Sequence, residues 1–154
     1  MKSELAGPGP RYQALLNLLR TAESLWNVSR EFFAQWDLSP SQFNVLNVLC
    51  DSPNGLTQIE LSRQLIMHRS NVTGLVDRLE KRGLVRRQDI AGDRRANQVV
   101  LTAQGRRLLE KVLPEYYLAA EQIWGDFPIS QTKSLVEGLE KLRKNADALN
   151  AEGH

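Results

Sequence analysis

The chain has 154 residues, 42% of them hydrophobic and 25% charged, with a formal net charge of +2. That balance suits one soluble globular domain and excludes a collagen-like repeat or a long disordered tract. A single cysteine and two histidines rule out a disulfide framework and leave no donor set for a cysteine-based zinc site or a histidine-dependent triad, so neither metal, cofactor nor enzymatic activity is expected.

No stretch approaches the ~18–20 apolar residues of a membrane helix, and residues 1–10 lack the apolar segment of a secretion signal. A cytoplasmic address without a membrane partner is the expectation. The charge is unevenly spread. Residues 56–111 hold twelve Lys or Arg against six acids, and the rest of the chain holds eight against twelve. A basic middle between acidic flanks is the footprint of a phosphate-backbone partner, although a solvated charged face has the same signature.

Gly7-Pro8-Gly9-Pro10 breaks the chain, and helical periodicity starts after it. Leu15, Ala22, Ser29 and Trp36 recur every seven residues, with Leu18/Leu19, Leu25/Trp26 and Phe32/Phe33 between them. The pattern predicts a helix of about 26 residues within 11–37, roughly 39 Å long. A core this small has no use for so long an apolar face, so the face calls for a partner.

Ser39-Pro40-Ser41-Gln42 supplies an N-cap, a proline at the first helical position and a glutamine to close a capping box. A short helix follows, with Phe43, Leu46, Leu49 and Cys50 on one side, and Ser52-Pro53-Asn54-Gly55 ends it. Cys50 continues that apolar side and reads as a buried structural thiol. Thr57-Gln58-Ile59-Glu60 is a second capping box, opening a helix to about Leu65. After a break near Ile66-Met67-His68, a further helix is predicted over 69–82, ended by Gly83 in a left-handed cap. Residues 84–90 and 96–101 are β-tolerant runs. Ala91-Gly92-Asp93-Arg94-Arg95 joins them as a hairpin with a charged tip. Thr102 caps a long helix through Leu109, Tyr116, Ile123 and Phe127, in which Pro114 predicts a kink. A last helix from Ser130 carries Leu135, Leu139, Leu142, Ala146 and Leu149 at alternating spacings of four and three, a second association seam.

Two short helices, a tight turn and a hairpin in that order make a winged helix-turn-helix. The second short helix is slim enough to enter the major groove and read base edges with its N-terminal side chains. The hairpin can put a cation into the minor groove, where the negative potential is deepest. Arg69, Ser70, Asn71 and Thr73 open that second helix, and Val72, Leu75, Val76 and Leu79 form its packed face.

These residues resemble the DNA-binding lobe of the MarR (multiple antibiotic resistance regulator) transcription factors. The resemblance is carried by Asn71-Val72-Thr73-Gly74-Leu75-Val76-Asp77-Arg78-Leu79-Glu80 and by Arg82-Gly83-Leu84-Val85-Arg86-Arg87. The tip Gly92-Asp93-Arg94-Arg95 and the junction Leu101-Thr102 with Gly105 add to it. The order of flanking helices, with a proline midway along the fifth, extends it to nearly the whole chain. Two positions depart from the pattern: Ile66 stands where a turn glycine is common, and His68 where a serine commonly caps the recognition helix.

The resemblance implies a mainly α fold, a single domain over 1–154. Its winged helix-turn-helix lobe would span 41–102, and its dimerisation helices 11–37 and 103–150. It implies that Arg95 is the minor-groove arginine, oriented by Asp93, and that Arg94, Arg86 and Arg87 contact phosphates. Ser70 and Asn71 would face bases beside Arg69, with Thr73 and Arg78 on the backbone. It further implies a homodimer on a pseudo-palindromic operator of double-stranded DNA, acting as a repressor. A small effector, often aromatic or anionic, would bind between the lobes and change the spacing of the two recognition helices. Trp26, Phe33, Trp36 and Phe43 are the candidate ligand residues, against the ordinary reading of aromatics at helical spacing as core. The alternative to a DNA-binding protein is a winged-helix protein–protein adaptor. It would present a neutral or apolar surface where this chain has Arg69, Arg86, Arg87, Arg94 and Arg95.

Overall fold

The computed structural model describes residues 9–65, 71–90 and 93–152, without the side chains of 93–96 and 152. The elements follow in the order α1 (Pro10–Ala34), α2 (Pro40–Cys50), α3 (Gln58–Gln64), α4 (Val72–Lys81), β1 (Val85–Ile90), β2 (Asp93–Leu101), α5 (Ala103–Trp124) and α6 (Ile129–Glu152). The chain is therefore mainly α with a two-stranded antiparallel wing. It divides into two units, residues 1–116 and 117–154.

In the first unit the helix starts are set by side-chain caps. Ser39 and Gln42 exchange the two bonds of a capping box, Ser39 N–H to Gln42 Oε1 at 2.8 Å and Gln42 N–H to Ser39 Oγ at 3.1 Å. Thr57 and Glu60 repeat the device on α3. Of the helix expected over 69–82, residues 69 and 70 lie outside the described residues, and α4 is capped by Asn71. The Asn71 carboxamide oxygen accepts the Gly74 N–H at 3.1 Å, so α4 begins at Val72. A side chain at Gly74 would put its Cβ 2.4 Å from that same oxygen, and glycine makes room for the cap. His68, expected near the cap, lies outside the described residues.

The far end of α4 closes as anticipated. Gly83 takes φ +69°, its N–H bonds to the Glu80 carbonyl, and the Leu84 N–H returns to Leu79 at 3.0 Å. The end of α1 makes a similar turn with Asp37 at φ +53°. There the Arg82 guanidinium donates to the Asp37 carbonyl and lies 3.6 Å from its carboxylate, tying the end of α1 to the end of α4.

β1 and β2 pair from Val85↔Leu101 to Asp89↔Asn97, and a bulge then brings Ile90 opposite Asp93. The charged tip is thus shorter than the sequence pattern implied. The backbone of Asp93, Arg94 and Arg95 already belongs to β2, because the bulge restores pairing early. Leu56 adds a bridge to Val99, with bonds of 3.0 and 2.7 Å. At the wing root, Thr102 Oγ1 donates to the Gly83 carbonyl at 2.6 Å and accepts the Gly105 N–H at 3.0 Å. A Cβ at Gly105 would lie 2.1 Å from the Leu84 carbonyl oxygen, so α5 meets the wing root backbone to backbone.

The core of this unit joins α1, α2, α3, α4, the wing and the start of α5. Leu46, Leu49, Leu61, Val76, Leu79, Val99 and Val112 are fully buried within it. Each such side chain contributes about 1.5–3 kcal/mol relative to exposure. Phe33 stacks on Phe43 with ring centroids 4.2 Å apart, and the Tyr116 ring tilts against both at 5.3 and 5.0 Å. Phe33 and Phe43, expected as ligand residues, are therefore core residues whose faces are covered by each other and by Tyr116. Cys50 is half-buried rather than fully buried, with Arg106 Nη1 3.8 Å from its sulfur.

In the second unit, Gly125 at φ +54° ends α5, and α6 starts at Ile129, one residue ahead of expectation. α5 runs unbroken through Pro114. None of the described residues of this unit is buried. Leu135, Val136, Leu139 and Leu142 stand open along α6, and Ile129 is 88% exposed.

Candidate nucleic-acid interface

α4 is amphipathic by burial. Val72, Leu75, Val76 and Leu79 pack inward, while Asn71, Thr73, Asp77 and Arg78 face solvent. The helix thus presents a polar face whose backbone is held from beneath by the core, the arrangement a groove-reading helix requires. The open side chains divide by role. Thr73 and Arg78 are displayed on the surface, with Gln58 Nε2 of α3 within 3.5 Å of Thr73 Oγ1. Asn71 spends its oxygen on the cap, which leaves its NH₂ as the donor it can offer a base.

On the wing, neighbouring arginines part company because successive strand side chains point to opposite faces. Arg86 is exposed. Arg87 turns back onto the recognition helix. Its Nη1 donates to Glu80 Oε2 at 2.6 Å, and its Nη2 donates to Asp77 Oδ1 at 2.7 Å and to Gln58 Oε1 at 3.1 Å. The Arg87 backbone N–H adds a bond to Glu80 Oε1 at 2.8 Å. The guanidinium keeps only 24% of its side-chain exposure. Burial works to lower its pKa, but the hydrogen bonds and charges of Asp77 and Glu80 outweigh it and hold the group above its ordinary value. Arg87, expected on a phosphate, is instead committed to two carboxylates inside the lobe.

Arg69 and Ser70 lie outside the described residues, as do the side chains of Asp93, Arg94 and Arg95. The backbone of the last three is on β2. Of the candidate ligand aromatics, Trp26 and Trp36 are half-buried, and Trp36 Nε1 is buried with no hydrogen-bond partner among the described residues. Among the described residues, no group of three His, Cys, Asp or Glu could hold a metal ion, and no helix is long and apolar enough to cross a membrane. Reading the sequence missed Arg82 as the tie to α1. The only signal was a cation one residue before a helix-ending glycine, and the Asp37 backbone turn that it reaches is 45 residues away.

A family model described as MarR family matches residues 36–96. The helix-turn-helix-type transcriptional regulator FarR of Neisseria gonorrhoeae is 30% identical over 140 residues, covering 88% of this chain and 92% of that protein. This chain belongs to the MarR family. It is a winged helix-turn-helix transcription regulator, as its relatives are, and those relatives are not enzymes.

Solved MarR-family structures have the same fold. Sco3205 from Streptomyces coelicolor, in complex with DNA, superposes with a TM-score of 0.82 at 24% identity, covering 93% of this chain and 92% of that one. CouR from Rhodococcus jostii RHA1, bound to p-coumaroyl-CoA, superposes with a TM-score of 0.72 at 25% identity, covering 81% and 87%. The matched span, residues 36–96, takes in α2, α3, α4 and β1 and enters β2.

Proposed function

We propose that this MarR-family regulator acts as a homodimer on a pseudo-palindromic operator, represses transcription there, and is released by a small ligand. The observation that carries the DNA-binding part is the solvent-facing polar side of α4, buttressed by a buried core and adjoining a basic wing. The DNA bound to Sco3205 supports the same use of the fold. In this reading Arg95 enters the minor groove with Asp93 orienting it, and Arg94 and Arg86 meet phosphates. Ser70 and the Asn71 NH₂ face bases beside Arg69, and Thr73 and Arg78 hold the backbone.

Support for the homodimer comes from apolar surface that neither unit covers by itself. On α1, Leu15, Leu19, Leu25 and Val28 are exposed, and α6 leaves its leucine seam open. Support for a ligand comes from CouR, which was solved with an aromatic thioester. Trp36 Nε1, in the turn after α1 and without a hydrogen-bond partner among the described residues, is a donor that a carbonyl or carboxylate could take.

Fluorescence anisotropy with the duplex upstream of its own gene tests the reading. Affinity should fall steeply with salt, because phosphate contacts dominate. The two recognition helices should engage half-sites about one turn, ~34 Å, apart. Arg95→Ala should weaken binding about 10- to 100-fold and leave the thermal midpoint in place; unchanged affinity would remove the wing from the mechanism. Repression and its release are read from a reporter behind that duplex, with and without aromatic acids.

A further inference from the structure

The commitment of Arg87 has a consequence for how the lobe meets DNA. Four hydrogen bonds from one residue of β1 end on three side chains: Asp77 and Glu80 of α4 and Gln58 of α3. Gln58 in turn reaches Thr73 on the solvent face of α4. A planar guanidinium with several donors in fixed directions suits such a bridge, and a lysine ammonium cannot span the same acceptors with one geometry. β1 is the strand that carries the wing, and α4 is the recognition helix.

We infer that Arg87 is a positioning residue that locks the wing to the recognition helix, so that the groove-reading and backbone-tracking elements approach DNA as one rigid unit. This rests on the DNA-binding reading above. The Arg87 charge is neutralised within the lobe rather than displayed to a phosphate. Asp77 and Glu80 are two acids on a helix that meets a polyanion, and their role there is to hold Arg87.

The inference makes an electrostatically perverse prediction, and that prediction is its test. A duplex selected by the wild-type protein from a random-sequence pool serves as the specific probe, and mixed-sequence genomic DNA as the non-specific one. If Asp77 merely sits near the backbone, Asp77→Asn removes a repulsive charge and strengthens binding to both. If it holds Arg87, Asp77→Asn weakens specific binding roughly tenfold, the worth of one lost charge-assisted bond, and spares the non-specific probe. Arg87→Lys should weaken specific binding comparably although the charge is kept, with the slope of log affinity against log salt unchanged. A phosphate contact instead predicts that Arg87→Lys is tolerated and that Arg87→Met lowers the slope by about one.

A purely structural role lowers the folded fraction and reduces both affinities in parallel; circular dichroism and the thermal midpoint of each variant are measured alongside. Should Arg87→Met fail to fold, Asp77→Asn and Glu80→Gln still decide. Tighter or unchanged specific binding by these two overturns the inference while leaving the DNA-binding reading intact. A wild-type protein that selects no duplex overturns both.

Discussion

Residues 1–116 and 117–154 are built from similar helical material and treat their apolar side chains in opposite ways. In the first unit, α2, α3, α4, the wing and the start of α5 pack leucine and valine out of water almost completely. In the second, α6 runs 24 residues with a leucine at nearly every turn and buries none of them. The same periodicity therefore has two outcomes, and the difference lies in the neighbours. Short helices separated by capped turns fold back on one another within the chain, whereas a long uninterrupted helix outruns what its own unit can cover. α1 joins both regimes, with Phe33 buried at its end and open leucines along its earlier turns.

Breaking the second regime should have the largest effect. Leu139→Glu combined with Leu142→Glu, both exposed, should leave the winged lobe folded but abolish dimerisation. Sedimentation would then report a monomer, and operator affinity should fall by at least ~100-fold through loss of the second half-site. A variant that remains dimeric would exclude the α6 seam from the interface. Leu46→Ala probes the first regime. It should cost about 2–5 kcal/mol through a cavity within a single chain, in denaturation experiments, at any protein concentration at which the assembly state is unchanged. A loss of stability that varied with concentration would place Leu46 in an intermolecular core instead.

Gly105→Ala sharpens the comparison inside the lobe. The new Cβ meets the Leu84 carbonyl oxygen, so overpacking at the wing root should cost about 1–3 kcal/mol, read as a lowered denaturation midpoint. No loss would mean that the α5–wing junction relaxes freely.

The smallest effect concerns Glu60, whose pKa is held below the ordinary 4.5 by the Thr57 backbone N–H, then by the Thr57 hydroxyl. Because the folded value is the lower one, its contribution is present above pH 4.5 and fades as pH falls through the lowered value. Glu60→Gln should slightly flatten the acid limb of the stability profile below pH 4.5. An unaltered limb would show that other carboxylates carry it.

The helix starts were legible because their determinants are local. Ser39 with Gln42, Thr57 with Glu60, and Gly83 after Lys81 act within three or four residues, and each is found forming the bonds its position implied. The cap on α4 was less legible, because a helical pattern alone cannot say which of several polar residues takes that place, and here Asn71 does. Phe33 and Phe43 were ambiguous for a different reason. Aromatic residues at helical spacing line a pocket or fill a core with the same periodicity, and only their 4.2 Å stacking decides for the core. The assignment of base and phosphate contacts to Arg69, Ser70 and the wing tip stands as a proposal resting on position.

What the amino-acid order determined unaided was the list of elements, their caps and the basic character of the middle of the chain, since all of these depend on neighbours a turn away or on simple sums of charge. What only the tertiary structure decided was the fate of individual cations. Arg86 and Arg87 are adjacent and chemically identical, yet one is open to solvent and the other is held by Asp77, Glu80 and Gln58. The alternation of a strand sends them to opposite faces, and which face carries the carboxylates follows from the packing of α4 against β1.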